Sequence, residues 1–180
     1  MLEGERVRLR PIELEDAGRL HAWFNDAEVI GNLSGRYPIS LAYEERWIRE
    51  RTQDATRMFL AIETSEGRHI GTIGLYDMRI EDRNAALSIT IGEKECWSKG
   101  YGADAIRTLL RFAFHEMGLH RVWLTTLDFN QRAIACYLKC GFRHEGRLRQ
   151  DVFRHGRYRD FVLMGILRDE VEDQQAKGAR

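Results

Sequence analysis

The sequence predicts a mixed α/β (α+β) fold, in which one β-sheet of about seven strands is flanked by about four helices. Three observations support this prediction. The middle of the chain carries consecutive strand patterns, the second half alternates strand and helix patterns, and the last patterned segment resembles a hairpin. The predicted order is β-α-α-β-β-β-α-β-α-β-β. Since strands and helices alternate only in the second half, the sheet is mixed rather than doubly wound and parallel.

The first quarter of the chain supplies one strand and two helices. Residues 5–10 alternate apolar and charged side chains up to Pro11, which ends a half-buried strand. Apolar side chains recur at helical spacing over residues 14–24, with acidic residues in the first turn. Residues 31–35, rich in Gly, Asn and Ser, predict a loop. A second helix follows over residues 40–52, with its first serine as the N-cap.

The middle of the chain predicts three strands in succession. They cover residues 58–62, 69–76 and 86–91, and turn sequences separate them. Gly71 and Gly74 lie inside the second of these strands. Glycine inside a strand is typical of a bulge or of another group at close range. We therefore expect either a bulge or close packing there.

The second half predicts two helices and three strands. Residues 102–117 carry an apolar face at helical spacing and end at a glycine suited to a C-cap. Residues 121–127 then predict a strand, and residues 131–139 a short helix. Two alternating segments, residues 148–153 and 158–167, flank a His-Gly pair and predict the closing hairpin.

The composition is typical of one intracellular domain. The 180 residues include 28 Lys+Arg and 28 Asp+Glu, and 43% are apolar, which predicts a single core over residues 1–170. Residues 171–180 form a polar tail that we expect to fray. Zero net charge argues against a nucleic-acid partner, and no apolar run is long enough to cross a membrane. Three cysteines, an odd and sparse number, favour reduced thiols and a cytoplasmic location.

A glycine-rich turn, Ser98–Ala103, precedes the longest predicted helix. Its Gly100-Tyr101-Gly102 core lets successive amides point at one anion, and the helix adds its positive dipole end. The P-loop pattern is absent. Residues 100–105 satisfy the dinucleotide-binding pattern G-x-G-x-x-A, and Asp128 lies downstream of them. However, the connection from the preceding strand to Gly100 is too long for a Rossmann turn. A plain strand-to-helix connection is the other alternative.

A second motif follows about thirty residues later. Asn130 to Phe142 fits the pattern N-x-x-A-x-x-x-Y-x-x-x-G-F. Together with the glycine-rich turn and the strand order, this segment resembles the GNAT superfamily of acyl-CoA-dependent N-acyltransferases. The likeness runs from Arg6 to about Leu167 and is greatest to the branch of ribosomal-protein N-terminal and spermidine acetyltransferases. It implies the GNAT fold and an acetyl-CoA-dependent N-acetyltransferase that uses direct attack of a primary amine.

The resemblance also implies roles for particular residues. Asn130 would bind the pantetheine arm or its surrounding loop, and Tyr137 would act as general acid toward the CoA sulfur. The strand segment would pair with pantetheine, one of its amides would polarise the thioester carbonyl, and the turn would hold the pyrophosphate; these cofactor-binding residues are Ile89, Thr90, Ile91, Ser98, Lys99, Gly100, Tyr101, Gly102 and Ala103. Trp97 stands where the family usually has Gln or Arg, so a side-chain phosphate contact is not expected there.

The acceptor pocket is expected from residues 23–37, the end of the central strand and the closing hairpin. Acidic side chains there would suit a cationic amine; the predicted substrate-binding residues are Trp23, Asp26, Glu28, Tyr76 and Asp77. The resemblance favours a protein N-terminus or a small polyamine as acceptor. An aminoglycoside acceptor, or a non-catalytic acyl-CoA sensor, remains as an alternative.

Several further points stay open from sequence alone. The general base is Glu93, Asp77, or a water held by Ser88 or Thr90, unless the amine loses its proton to solvent. Two cysteines one helical turn apart lie near a histidine, but two thiols rarely form a zinc site, so we expect core side chains and no metal. A homodimer through the sheet edge or the closing hairpin is possible.

Overall fold

The computed structural model describes residues 1–33, 38–51 and 54–171. Parts of three predicted segments lie outside these residues: the end of the 31–35 loop together with residues 36–37, the end of the second helix, and the tail from residue 172. One sheet of eight strands runs through the described chain. Its strands are β1 (Leu2–Glu3), β2 (Val7–Pro11), β3 (Met58–Thr64), β4 (His69–Arg79), β5 (Asn84–Ile91), β6 (Arg121–Leu127), β7 (Arg143–Arg154) and β8 (Arg157–Leu167).

Five α-helices accompany the sheet within the described residues. They are α1 (Ala17–Phe24), α2 (Ala27–Ile30), α3 (Leu41–Arg51), α4 (Tyr101–His115) and α5 (Gln131–Lys139). Single 3₁₀ turns precede α1 and α4. In the part of the chain that the structure describes, no helix is long and apolar enough to cross a membrane.

The sheet has the strand order β1-β2-β3-β4-β5-β6-β8-β7, and its pairs are antiparallel except for β5 with β6. This confirms the mixed sheet but corrects the predicted seven strands to eight. The sequence analysis missed β1 because two residues cannot show an alternating pattern, and it missed α2 because four residues show no helical period. The first strand of the hairpin starts at Arg143 instead of residue 148, since two register shifts interrupt its alternation.

The main core lies between the sheet and helices α4 and α5. Leu9, Ile62 and Ile73 from the strands and Ile106 and Leu109 from α4 are almost completely buried in it. The apolar face of α4 is broad because its buried residues recur every three or four positions. This packing fixes the N-terminus of α4 at the end of β5, which is where the site forms.

The two glycines of β4 allow neighbouring strands to approach closely. A Cβ on Gly71 would lie 2.2 Å from the carbonyl oxygen of Thr90, and a Cβ on Gly74 would lie 2.3 Å from that of Met58. No side chain fits at such distances. The predicted close packing is therefore confirmed, and it places β5 tightly against β4 on the side away from the cleft described below.

A charged cluster ties the start of α1 to the sheet. Arg10 donates to Asp16 at 2.7 and 2.8 Å and to Glu63 at 2.6 Å, and His69 Nδ1 lies 3.0 Å from Asp16. Burial alone would raise the pKa of Asp16, but the hydrogen bonds from Arg10 and the nearby His69 ring lower it well below its usual range. These bonds fix α1 against β2, β3 and β4.

Candidate active site

The site is a cleft created where two neighbouring strands separate. β5 and β6 pair only over residues 84–86 and 121–123, and they diverge beyond that point. A cavity of about 720 Å³ fills the gap and extends toward α1, α2 and α3. The separation leaves the second half of β5 with one paired edge, against β4, and one edge facing the cavity.

Strand geometry decides which backbone groups of β5 face the cleft. The amide of Gly92 donates to the Ile70 carbonyl at 2.9 Å, on the β4 side. Backbone groups alternate sides along a strand, so Thr90 bonds toward β4 while Ile89 and Ile91 face the cavity. The carbonyl of Ile91 accepts a hydrogen bond from Trp97 Nε1 at 2.7 Å. The Ile89 backbone lies beyond the residues of β5 that pair with β6, so its groups on that edge are positioned to bind an extended ligand.

The glycine-rich turn curls at the wide end of the same cleft. Ser98 and Gly100 have positive φ angles of 59° and 90°, and Gly100 is the N-cap residue of α4. These left-handed residues turn the chain so that the N-terminus of α4 meets the cavity. A Cβ on Gly102 would be 3.7 Å from the Ile91 side chain, an ordinary contact. Within the protein itself, Gly102 therefore has room for a side chain, and the space beside it belongs to the cavity.

The structure brings most of the predicted site residues to this cavity. Those that line it are Tyr76, Ile89, Thr90, Ile91, Ser98, Gly100, Gly102, Ala103, Asn130 and Tyr137. Lys99 and Tyr101 instead line a smaller hollow beside Arg68 and Glu95. Arg6 donates to the Lys99 carbonyl at 3.1 Å.

Tyr137 lies inside the cleft on α5. It is buried, with 8% of its surface exposed, and its ring packs edge-on against Phe142. Burial raises the pKa of Tyr137 above its ordinary value, and the neighbouring ionisable groups of Cys136, Cys140 and Tyr76 raise it further. The phenol is therefore protonated at neutral pH, which is the form that a proton donor needs.

Asn130 starts the helix that carries Tyr137. Its Oδ1 accepts a hydrogen bond from the amide of Ala133 at 3.2 Å, so the side chain is an N-cap for α5. Its Nδ2 makes a long contact of 3.5 Å with the carbonyl of Asn32, which follows α2. Asn130 thus joins the two walls of the cavity and fixes the start of α5.

The two thiols of α5 lie beside the turn. Cys140 Sγ donates to the carbonyl of Ala103 at 3.6 Å, and its pKa is raised by its bond to Cys136 and by burial. Cys136 lines the cavity near Gly102, and its interaction with Cys140 lowers its pKa. The pair packs α5 against α4.

Four predicted substrate residues lie away from the cavity lining. Trp23 covers Gly92 and donates to Glu93 at 3.0 Å. Asp26 caps α2 and lies 2.8 Å from Lys94, and Glu28 lies 3.2 Å from the same lysine. Asp77 is exposed, and its backbone has a positive φ of 48°.

Of the candidate bases, Glu93 also lies outside the cavity lining. Its carboxylate binds Trp23 and Arg68 and lies 3.6 Å from Arg19. These bonds occupy both of its oxygens. The hydroxyls of Ser88 and Thr90, in contrast, belong to residues that line the cavity, so they can hold a water there.

Two basic residues of α5 line the cavity and were missed in the sequence analysis. The Arg132 guanidinium stacks 3.7 Å from the centre of the Trp97 ring, and Lys139 lies further along the helix. Burial lowers the pKa of Arg132, against the attraction of Glu28. Arg132 occupies a variable position of the N-x-x-A motif, so the motif gave no signal for it. The stacking on Trp97 depends on tertiary structure.

The other end of the cavity is aromatic and was also missed. Its aromatic lining residues are Phe24, Trp47, Phe59, Tyr76 and Phe161, of which only Tyr76 was predicted. They come from α1, α3, β3, β4 and β8. Isolated aromatic residues in a sequence are ordinary core candidates, so no local pattern could have identified this group.

Comparisons with known proteins agree with this geometry. A family model described as an acetyltransferase (GNAT) domain matches residues 6–143. The chain is 30% identical over 171 residues to an uncharacterized prophage-derived N-acetyltransferase of Bacillus subtilis, covering 94% of each chain. It is 28% identical over 166 residues to the spermidine N(1)-acetyltransferase of Vibrio cholerae, covering 92% of this chain and 95% of that one.

A solved structure is similar over the same range. It is a crystal structure of the Vibrio cholerae spermidine N-acetyltransferase in complex with CoA and spermine, with a TM-score of 0.85 and 26% identity. The match covers 92% of this chain and 98% of that one. The chain therefore belongs to the GNAT acetyltransferase family. These findings confirm the GNAT fold and an N-acetyltransferase that uses acetyl-CoA, as the sequence predicts.

Proposed function

We propose that acetyl-CoA lies along the free edge of β5 and that its acetyl group passes to a primary amine entering from the aromatic end of the cavity. The separation of β5 from β6 is the observation that carries this proposal. It leaves a strand edge that an extended pantetheine arm can pair with, ending beside the buried hydroxyl of Tyr137. The relatives' acetyl-CoA chemistry supports the same assignment.

The phosphates would bind at the turn. Backbone amides from Ser98 to Ala103 would donate to the pyrophosphate, and the positive end of α4 would favour its charge. Arg132 and Lys139 line the same cavity and would supply the side-chain cations that Trp97 cannot. Lys99 and Tyr101 would contribute through their amides alone, because their side chains line a different hollow.

The thioester would lie opposite the Ile89 segment. The amides of Ile89 and Ile91 face the cleft, so they would bind the pantetheine arm and the thioester oxygen, while Thr90 would contribute its side chain. A backbone amide aimed at a developing oxyanion lowers the barrier of acyl transfer by about 3–4 kcal/mol. This donor is in place before the reaction, because the pairing of β5 with β4 holds it.

The reaction itself is direct transfer. The neutral amine attacks the thioester carbonyl carbon, a new C–N bond forms, and the carbonyl electrons move to oxygen. When the oxygen electrons return, the C–S bond breaks and CoA leaves as a thiolate that takes the proton of Tyr137. The acceptor nitrogen loses its extra proton to water, directly or through a water held by Ser88 or Thr90. The tyrosinate is then reprotonated from solvent.

A primary amine is the acceptor, and the sequence favoured a protein N-terminus or a small polyamine. The spermidine acetyltransferases among the relatives support the polyamine. Within this chain, Tyr76 is the predicted substrate residue best placed for the role, because it lines the cavity near Tyr137. Trp23, Asp26, Glu28 and Asp77 would act only at the outer rim of such a site.

Residues 1–170 are proposed to act as one domain in the cytoplasm, because their strands share one sheet and all three cysteines are free thiols. A homodimer through the edge strand β7 is proposed as well. The strand is twelve residues long, and Leu148, Phe153 and Tyr158 of its hairpin are exposed apolar side chains. Light scattering on the purified chain tests the dimer.

The proposed function is tested by release of the CoA thiol from acetyl-CoA in the presence of amines, alongside calorimetric titration of acetyl-CoA. We expect micromolar binding and amine-dependent thiol release. Binding without turnover by any primary amine would favour the acyl-CoA sensor instead. Lack of binding would contradict the assignment of the cleft.

A further inference from the structure

The acceptor end of the cavity has a composition that selects among amines. Five aromatic side chains line it, and Val29 and Leu33 add aliphatic surface. Among the lining residues of the described chain there is no carboxylate. The two charged residues of the whole cavity lining, Arg132 and Lys139, belong to the proposed phosphate end. The walls of the acceptor end are therefore mainly aromatic and aliphatic, and the described residues that line them carry no negative charge.

Protein cations lie next to the aromatic wall. The Arg51 guanidinium lies 5.6 Å from the ring centre of Trp47 and 6.0 Å from that of Phe59. Arg154 donates to the carbonyl of Leu33 at 2.9 Å. One protein cation, Arg51, thus already lies over two rings of the aromatic wall, where a cationic ligand would otherwise find favourable contacts.

The nearby carboxylates lie outside the cavity lining, and three of them pair with protein cations. Asp26 and Glu28 both pair with Lys94, and Asp26 also caps α2. Asp128 pairs with Arg159 at 3.2 Å. Glu44 of α3 is buried, but it is absent from the residues that line the cavity. A ligand ammonium in the aromatic end would find no counter-charge among these groups.

We infer that the acceptor is a monoamine whose amino group is carried on an apolar or aromatic body, such as an arylalkylamine, rather than a polyamine. This inference rests on the proposed function. Removing an ammonium from water without a partner is strongly unfavourable. Spermidine must keep two further ammonium groups after the attacking nitrogen is neutral, whereas an arylalkylamine keeps none. Its ring instead gains contact with the aromatic wall.

The same composition helps the attacking nitrogen to react. An apolar site disfavours the ammonium form, so it lowers the pKa of a bound amine and raises the fraction that is neutral and nucleophilic. A dedicated carboxylate base is then unnecessary. This agrees with the position of Glu93, whose oxygens are bound by Trp23 and Arg68 outside the cavity lining.

The test compares kcat/KM for 2-phenylethylamine, tryptamine and spermidine at saturating acetyl-CoA. We expect at least a tenfold preference for the arylalkylamines, about 1.4 kcal/mol in transition-state binding. A matched pair of variants isolates charge. Phe24→Glu should move the preference toward spermidine, whereas Phe24→Gln, with nearly the same shape, should weaken arylalkylamine turnover without favouring spermidine. Calorimetric binding of acetyl-CoA confirms that both variants are folded.

The outcomes separate this inference from the proposed function. Turnover of spermidine equal to or better than that of the arylalkylamines would overturn the inference and leave the acetyltransferase assignment intact. A Phe24→Glu variant whose preference matches that of Phe24→Gln would also overturn it. Absence of thiol release with all three amines and a wider panel of primary amines would overturn both.

Discussion

The two ends of the cavity are built in different ways. The proposed CoA end presents backbone groups from one strand and one turn, next to a helix whose N-cap is Asn130. The proposed acceptor end presents side chains from five separate elements, and none of the five aromatic residues is adjacent in sequence to another. A backbone site is specified by local conformation, whereas a side-chain site can be changed by single substitutions. Under the proposed function, the CoA end would therefore define the reaction and the acceptor end the substrate.

The largest effect of a single substitution is expected at the junction between the two ends. Tyr137→Phe removes the proposed proton donor while keeping the ring packed against Phe142. We expect kcat to fall about 10²–10⁴-fold, with the acetyl-CoA dissociation constant within about twofold of wild type. Single-turnover thiol release and calorimetry measure the two quantities. An unchanged kcat would remove Tyr137 from the acid role.

The next largest effect is expected at the turn. Gly102→Val should weaken acetyl-CoA binding about a hundredfold or more, because its side chain occupies the space that the phosphates need while the protein itself accommodates it. Gly18→Val is the matched control, since a side chain at Gly18 meets nothing within 4 Å. Normal acetyl-CoA affinity in Gly102→Val would show that the phosphates bind elsewhere.

A smaller effect is expected from the cation that stacks on Trp97. Arg132→Gln should weaken acetyl-CoA about tenfold, the size of one charge-assisted hydrogen bond, and should reduce the dependence of affinity on salt. Arg132→Lys keeps the positive charge but not the planar group that stacks on Trp97. Its acetyl-CoA affinity should lie between those of wild type and Arg132→Gln. If Arg132→Gln affects only the KM of the amine, the residue belongs to the acceptor end.

The last effect concerns stability near the acceptor end and should leave binding and turnover unchanged. Burial raises the pKa of Glu44 to about 7, above the ordinary value of 4.5. The folded state therefore resists ionisation, and stability is lost as pH rises from about 4.5 to about 7. Glu44→Gln should increase the free energy of unfolding by about 1–3 kcal/mol at pH 8 and by little at pH 5.

Urea titrations at the two pH values measure this difference. Parallel pH curves for wild type and Glu44→Gln would contradict it. Amine KM should be the same in both proteins, because Glu44 does not line the cavity. A raised amine KM in the variant would assign Glu44 to substrate binding. The acceptor end would then include a carboxylate.

Local patterns predicted the fold wherever an element was long enough to show a period. The strand at residues 121–127 and the helix at residues 131–139 match the structure to the residue. Short elements were missed for the same reason, since β1 with two residues and α2 with four residues are too short for their pattern to recur. The count of strands was wrong because of β1.

The candidate site could likewise be predicted only where its residues form a local sequence pattern. The turn around Gly100 and the motif around Tyr137 are each one continuous segment of sequence, so each could be recognised. Residues of both segments line the cavity. The acidic residues Asp26 and Glu28 were expected in the acceptor pocket, but Lys94, 66 or more residues away, binds them outside the cavity lining. Which charged side chains pair with one another is decided by tertiary packing, which no local pattern contains.

The central claim is that one cavity has a CoA end and a separate acceptor end. Its most direct test measures acetyl-CoA affinity and amine KM in Gly102→Val and Phe24→Gln. The first variant should lose acetyl-CoA affinity about a hundredfold or more. The second should keep acetyl-CoA affinity and raise the KM of the amine. Loss of acetyl-CoA binding in Phe24→Gln, or normal binding in Gly102→Val, would contradict the account.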